Sequence, residues 1–463
     1  MQDRSVLLFP GLGAYSTGVL QQARQHYPQV TETFAEIDTV AADYGIPPVS
    51  DVLFGTREAT IKELLAERAE LLQLAIFGTS VATFRILVAE GAEPYLLVGH
   101  SFGEMAALVC ADAFDLADGA RMVCARTEAL RAWEGRGAMA AIGANEPVVK
   151  HLIGLAEEHD LVIGCSNAPR QHVIAGPVES VTRVGKAAEA LGFFFAQLNL
   201  PYASHHPSMH SAVPQFIELM GSVRQRPLRR TVLSPIHGRR YHDGDDLRRA
   251  IAECLILPVR FTDAIRTLHA QGCKNFVEAG ALNALTRCVE ATVPGVRTFA
   301  PLLTREEEIK NLRLAADAAH GSLSTPPDVS ARRPKAAAPE AAVVSFLTPP
   351  TDSIPSARVE NDAIREARQA AQSHQNGDTR QDVLARLQRL YAEALEYPID
   401  LLTESASLEA ELGIDSLKQT SLLTKVVEEF GLSDDPSELR VWEFATLGQI
   451  ADHVVTSGQG ALR

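Results

Sequence analysis

Apolar positions in the first 320 residues follow two alternating rhythms. Short apolar runs at Val6–Phe9, Tyr95–Val98, Met139–Ile142, Leu161–Cys165, His172–Ala175, Phe193–Asn199 and Asn275–Glu278 predict strands. Between them, apolar residues recur at helical spacing over Gln73–Glu90, Glu104–Cys110, Asp118–Ala132, Glu146–His159 and Glu179–Leu191. Strands alternating with helices predict an α/β body. Over residues 137–200 the order is strand, helix, strand, strand, helix, strand. That order predicts a small ferredoxin-like subdomain inserted in the larger body, its sheet walling one side of a cleft.

The rhythm lapses after Gly321. Residues 321–379 are rich in Pro, Ala and Ser, with Pro326-Pro327 and Pro349-Pro350, and read as a flexible linker. Helical spacing resumes with Val383, Leu387, Leu390 and Tyr391, continues through Leu417, Leu422, Leu423 and Val426, and ends with Val441, Phe444, Leu447, Ile450 and Val454. Three such stretches predict a small helical bundle. The expected organisation is one domain at 1–320, with its insertion at about 137–200, a linker at 321–379, and a second domain at 380–463.

Composition narrows the class. At 463 residues, 46% hydrophobic and 22% charged, the chain suits a soluble globular protein of two or three domains. No apolar run is expected to reach the roughly 20 residues that span a bilayer. The start, Met1-Gln2-Asp3-Arg4, leads directly into a strand pattern without a signal peptide, so a cytoplasmic location and no membrane partner are expected. The six cysteines are scattered without C-x-x-C spacing, which predicts reduced thiols and no metal site. A net charge of −15 argues against nucleic-acid binding. Much of it falls in the last segment, where residues 380–455 hold fifteen Asp and Glu against six Lys and Arg.

Candidate chemistry begins at Gly99-His100-Ser101-Phe102-Gly103-Glu104, which joins a predicted strand to a predicted helix. Glycines at both second neighbours permit a sharp turn that presents the Ser101 hydroxyl at a helix N-terminus, as in a nucleophile elbow. A Ser nucleophile needs a base. His205, in Tyr202-Ala203-Ser204-His205-His206-Pro207, lies where the insertion returns to the body, and His206 is its rival. A third group that fixes the imidazole can be a backbone carbonyl as well as an Asp.

These motifs resemble those of the malonyl-CoA:acyl-carrier-protein transacylases, the acyltransferase domains of fatty-acid and polyketide synthases. The resemblance runs from residue 5 to about 310. It rests on Phe9-Pro10-Gly11-Leu12-Gly13, Gln73-Leu74-Ala75, Gly99 to Glu104, Arg126, Ser166-Asn167-Ala168-Pro169, Val173-Ile174-Ala175-Gly176, Tyr202 to His205, Pro258-Val259-Arg260-Phe261 and Phe276 to Gly280. It implies an α/β-hydrolase-like core. It also implies that Ser101 is acylated by an acyl-CoA or carrier thioester, with His205 as base and then acid. The backbone N–H groups of Leu12 and Phe102 would form the oxyanion hole. Arg126 would clamp a free carboxylate, with Gln73, Tyr202 and Ser204 around the substrate.

Departures from the family pattern bear on substrate choice. Leu12 and Tyr15 stand where Gln is usual, Ala281-Leu282-Asn283 replaces a P-G-K-like turn, and Cys254 replaces an Asn or Gln that lends its carbonyl to the His. Phe102 is bulky and would narrow the pocket near the acyl α-carbon. Tyr-Ala-Ser-His, however, is similar to the version associated with methylmalonyl selectivity, and Ser204 would leave room for an α-substituent. Both hints stand, and the extender unit stays open between malonyl, methylmalonyl and other substituted forms.

The last segment, 380–455, resembles an acyl carrier protein, most specifically at Glu411-Leu412-Gly413-Ile414-Asp415-Ser416-Leu417. The resemblance implies 4′-phosphopantetheine on Ser416, attached by a phosphopantetheinyl transferase, and acidic residues that attract partner enzymes. A tether of about 58 residues spans on the order of 40 Å and gives an effective concentration around millimolar, so loading of the chain's own carrier is expected. No ketosynthase signature is present, so a ketosynthase and other polyketide synthase modules are expected partners. Two other functions fit the same residues: an acyl-thioester hydrolase of this fold, and a carrier scaffold with an inactive acyltransferase.

Overall fold

In the computed structural model the described residues are 4–320, apart from 56–58, 158 and 306, together with 380–395, 402–404, 408, 422–423, 425–426, 429–430 and 446–460. The predicted linker and the stretch around Ser416 lie outside them. Backbone proximity divides the chain into two units, Met1–Val329 and Ser330–Arg463.

The first unit is built on a six-stranded sheet. In chain order its strands are β1 (Arg4–Phe9), β2 (Leu96–Gly99), β7 (Val232–Ser234), β8 (Arg239–Arg240), β9 (Cys273–Glu278) and β10 (Arg297–Phe299), and their order across the sheet is β10-β9-β1-β2-β7-β8. All neighbours are parallel except β8, which returns antiparallel to β7. Val6, Leu7, Leu8 and Phe9 are wholly buried, the continuous apolar run of a strand covered on both faces.

The helix Ala69–Ala89 packs among the surrounding helices with residues buried on nearly every side, and its Phe84 ring stands 6.2 Å from that of Phe9 on β1. It corrects the expectation about apolar runs, since its 21 residues are long and apolar enough to cross a bilayer by length and composition. Its burial inside the body makes it a core helix instead. The helix Leu116–Arg131 starts where the Asp115 side chain accepts the N–H of Asp118, a local N-cap that sets the phase of Arg126.

The insertion forms a separate four-stranded antiparallel sheet of β3 (Ala138–Ile142), β4 (Val162–Ala168), β5 (Gln171–Gly176) and β6 (Phe195–Gln197), ordered β4-β5-β3-β6. Helices Glu146–Leu155 and Val178–Ala190 cover one face through Val149, Leu152, Val181 and Val184. Its edge strand β4 is stitched to the body by two backbone bonds: Ser166 N–H to the Val259 carbonyl and Val259 N–H to the Gly164 carbonyl, both 2.8 Å.

Several elements depart from the expected boundaries. The strand predicted over Phe193–Asn199 is confined to Phe195–Gln197, and the helix from Glu146 stops at Leu155, short of His159. The body also carries helices that the pattern reading passes over, among them Pro28–Asp43, Phe261–Ala270 and Ala284–Thr292. In the second unit, helices Arg380–Leu395 and Leu447–Gly460 share a core of Val383, Leu387, Tyr391, Leu422, Val426, Ile450 and Val454. Arg380 pairs with Glu404 at 2.6 Å and also with Asp452 across this bundle.

Candidate active site

Strand register brings the first functional loop to the second. Phe9 of β1 lies opposite Gly99 of β2, so residues 10–12 and 100–102 leave the sheet side by side. The glycines of the elbow answer to close approach. A Cβ on Gly99 would sit 2.3 Å from the Glu104 Cα, and one on Gly103 would sit 2.1 Å from the Phe9 carbonyl oxygen. Ser101 itself has φ +53°, the left-handed conformation uncommon for a side-chain-bearing residue. That turn lifts its hydroxyl out at the start of the helix Gly103–Cys110. The N–H groups of Leu12 and Phe102 have no intramolecular acceptor among the described residues.

His205 meets the hydroxyl directly. The Ser101 Oγ and His205 Nε2 are 2.7 Å apart. His205 Nδ1 lies 2.8 Å from the Leu257 carbonyl, which can only accept, so Nδ1 carries the proton and Nε2 is left to accept. Its own N–H is held by the Leu255 carbonyl at 2.8 Å, and φ +62° completes the pose. Burial pushes the imidazole pKa down to about 4, and the nearby His100 and Arg126 push in the same direction. The ring therefore stays neutral near pH 7 and able to take a proton.

The rivalry with His206 is resolved by hydrogen bonds. His206 Nδ1 accepts the Ser208 N–H at 3.1 Å, while Nε2 reaches the Asp160 carbonyl at 2.7 Å. It caps the short turn Pro207–Ser211. His100 is likewise committed, with Nε2 donating to the Asn167 Oδ1 at 2.8 Å.

Arg126 projects from its helix into the same cleft and is 5% exposed. One guanidinium nitrogen donates to the Gln73 Oε1 at 2.9 Å and lies 3.5 Å from the Tyr202 Oη. The guanidinium carbon stands 5.5 Å from the Phe102 ring centre and 5.9 Å from that of Tyr202. Arg126 forms no ion pair among the described residues. Ser101, Phe102, Arg126, Ser204 and His205 line one narrow cleft, and Gln73 and Tyr202 stand behind Arg126. Leu12 lies on the neighbouring loop.

A buried acid beneath the elbow is the part that the sequence reading missed. Glu104 is wholly buried and accepts from the Ser234 hydroxyl at 2.5 Å and the Tyr241 hydroxyl at 2.6 Å. The Cys254 thiol points at it from 3.8 Å. Burial raises its pKa to about 7, and the three donors pull the other way. The Cys254 thiol is therefore turned to the acid, and the Leu257 carbonyl orients the His205 ring. Glu104 stands in the motif, but no spacing signal links it to Ser234 or Tyr241, which reach it from β7 and just beyond β8.

Comparison with known proteins gives two matched regions. Residues 6–325 match the model of the acyl transferase domain, and residues 385–454 that of the phosphopantetheine attachment site. The chain is 33% identical over 202 residues to the polyketide biosynthesis protein ThaF of Burkholderia thailandensis, covering 43% of this chain and 17% of that protein. It is 30% identical over 289 residues to the erythronolide synthase EryA2 of Saccharopolyspora erythraea, covering 62% of this chain and 8% of that one. The chain thus spans less than a fifth of the length of these relatives. Among solved structures, the malonyl-CoA:acyl carrier protein transacylase of Xanthomonas oryzae is similar with a TM-score of 0.61 and 29% identity, over 67% of this chain and 98% of that one.

Proposed function

The chain belongs to the acyl transferase domain family, and from that premise we propose that it moves a malonyl-type acyl group from coenzyme A, through an ester on Ser101, to a carrier thiol in polyketide biosynthesis. The observation that carries this reading is Arg126. A guanidinium buried without an anionic partner, in the cleft where Ser101 meets His205, is a site prepared for a carboxylate. Gln73 and Tyr202 occupy one of its nitrogens and fix its plane, leaving the rest of the fork for a bidentate partner.

The chemistry follows from the hydrogen bonds. The Ser101 Oγ attacks the thioester carbonyl carbon while His205 Nε2 takes the hydroxyl proton, and the Leu257 carbonyl steadies the charged ring. Negative charge builds on the carbonyl oxygen and is met by the N–H groups of Leu12 and Phe102. The C–S bond then breaks, His205 returns its proton to the departing sulfur, and the acyl group remains as an ester on Ser101. With a second thiol the same proton path runs backwards and restores the Ser101 hydroxyl.

4′-Phosphopantetheine, when bound, supplies that second thiol. Its attachment needs a single Ser hydroxyl, which Ser416 provides in the Asp-Ser-Leu context. The apolar helical core of the second unit suits a carrier, and its surface pairs Arg386 with Glu429. Further points of the reading are a boundary near residue 320, a tether at 321–379, transfer to the chain's own carrier, and a cytoplasmic location. A phosphopantetheinyl transferase and a ketosynthase are the expected partners. The strand order β4-β5-β3-β6 with two helices on one face supports a ferredoxin-like insertion, and the parallel sheet with its Ser elbow supports an α/β-hydrolase-like core.

Malonyl-CoA and acetyl-CoA offered to the wild type and to Arg126→Ala test the assignment, with the Ser101 ester followed by peptide mass. Losing the partner of a buried charge typically costs about 2–5 kcal/mol, so malonyl loading should fall about 30-fold or more relative to acetyl loading. Equal losses for both donors would refute the clamp. Free malonate accumulating without any carrier-bound acyl group would make the protein a hydrolase instead.

A further inference from the structure

His100 is the elbow residue whose side chain the transfer above leaves unused. It stands directly before Ser101, with its N–H bonded to the Phe9 carbonyl and its own carbonyl accepting the Gly103 N–H, both at 2.9 Å. Its backbone is thus part of the turn that holds Ser101 at φ +53°. The ring reaches the other way, to the inserted sheet, where Nε2 donates to the Asn167 Oδ1 at 2.8 Å. It stands edge-on to Phe261 with ring centres 5.4 Å apart. It also rests on Gly11, where a Cβ would come within 3.5 Å of Nδ1. Burial holds the His100 pKa below the usual imidazole value, against the pull of the Asn167 hydrogen bond. A neutral ring has a single N–H, and that of His100 is given to Asn167.

Asn167 belongs to β4, which is anchored independently of the elbow. The residue before it, Ser166, bonds Val259 through its N–H, and its carbonyl accepts the Thr262 hydroxyl at 3.1 Å. Three residues back, β4 runs against the base: a Cβ on Gly164 would stand 3.2 Å from the His205 Cβ. Residues 164–167 of one strand therefore lie beside both parties to the proton transfer, Gly164 at His205 and Asn167 at the neighbour of Ser101. The 2.7 Å between Ser101 Oγ and His205 Nε2 is measured between side chains that share this frame.

We propose that Asn167 is a positioning residue for acyl transfer: by fixing the His100 ring to β4 it sets the Ser101 hydroxyl within reach of His205. The inference rests on the acyl-transfer reading given above. Displacing reacting atoms by about 1 Å can cost on the order of 100-fold in rate. Such a loss falls on the chemical step, and the concentration of donor that half-saturates the cleft is left alone.

The test is single-turnover acylation of Ser101 by malonyl-CoA in the wild type, Asn167→Ala and Asn167→Asp, followed by mass spectrometry over a range of donor concentrations. A single-turnover rate constant comes from the molecules that react, so it does not depend on how much of a variant is folded. Asn167→Ala should lower the maximal rate constant about 10- to 100-fold and leave the half-saturating concentration within about twofold. Asn167→Asp keeps an acceptor oxygen at the same reach and should return the rate to within about fivefold of the wild type. Phenylmethylsulfonyl fluoride, which carries neither coenzyme A nor a carboxylate, sulfonylates Ser101 through the same hydroxyl and base as fluoride leaves, and should be slowed in step with acylation. An Asn167→Ala rate within twofold of the wild type, a loss confined to half-saturation, or an Asp variant no faster than the Ala variant overturns the proposal. Failure of the acyl-transfer reading has a different signature: no ester forms on wild-type Ser101 from malonyl-CoA, and both inferences then fall together.

Discussion

His205 is left free to accept a proton by the way its two nitrogens are divided. The Leu257 carbonyl claims the proton on Nδ1, the Ser101 hydroxyl faces Nε2, and burial keeps the ring uncharged. The pKa near 4 sets the pH profile. Ser101 acylation should hold level from neutral pH down to about 5 and decline as the pH passes through about 4, where the ring protonates. A stopped-time mass assay across that range checks it, and a decline centred near 6.5 would contradict the burial. The sign for stability is also set. The folded value lies below the unfolded one, so this group's stabilisation is complete above about 6.5 and is lost as the pH falls towards 4. At this scale motif and register single out Ser101 and Arg126, and the fold brings the two to one cleft. The three donors to Glu104 were not legible, because they come from residues 130 to 150 positions away that only the fold assembles.

Elements were legible where they were long or fully apolar. β1 from Val6 and the helix Gly103–Cys110 from Met105 announce themselves as unbroken apolar runs, and both elements are buried throughout apart from the exposed Arg4 at the start of β1. The helix Pro28–Asp43 carried a readable signal in Pro28 and in Val30, Phe34, Ile37 and Val40, all buried on one face, which the pattern reading passed over. β7, β8 and β10 offered none, since strands of two or three residues are made by their neighbours rather than by local preference. The elbow's tolerance is decided at this scale too. A methyl on Gly103 would meet the Phe9 carbonyl, a backbone atom of the central strand that has nowhere to go. Gly103→Ala should therefore cost about 1–3 kcal/mol in thermal or denaturant unfolding and abolish Ser101 acylation. Retained acylation would mean that the strand yields more easily than its position implies.

The whole molecule divides its chemistry between two units, with acyl loading assigned to one and the carrier attachment to the other. Ser416→Ala should abolish addition of the phosphopantetheine mass while leaving acylation of Ser101 within about twofold of the wild type, since the two serines belong to different units. Intact-mass analysis of the wild type and the variant separates the events, and a mutant that still gained the arm would move the attachment point. A shift in composition at residue 321 and a return of helical spacing at 380 are the signals from which the sequence leads one to expect such a division.

One short stretch of the first unit ties two jobs together. Leu255 and Leu257 hold His205 by its amide and its ring, and Val259, two residues on, is laced to the edge of the inserted sheet. Those five residues form a strut shared by the inserted sheet and His205. Tilting that sheet tugs on the imidazole, so movement of the insertion and the set of the Ser101–His205 pair are geared to each other. Redesign aimed at one should register in the other.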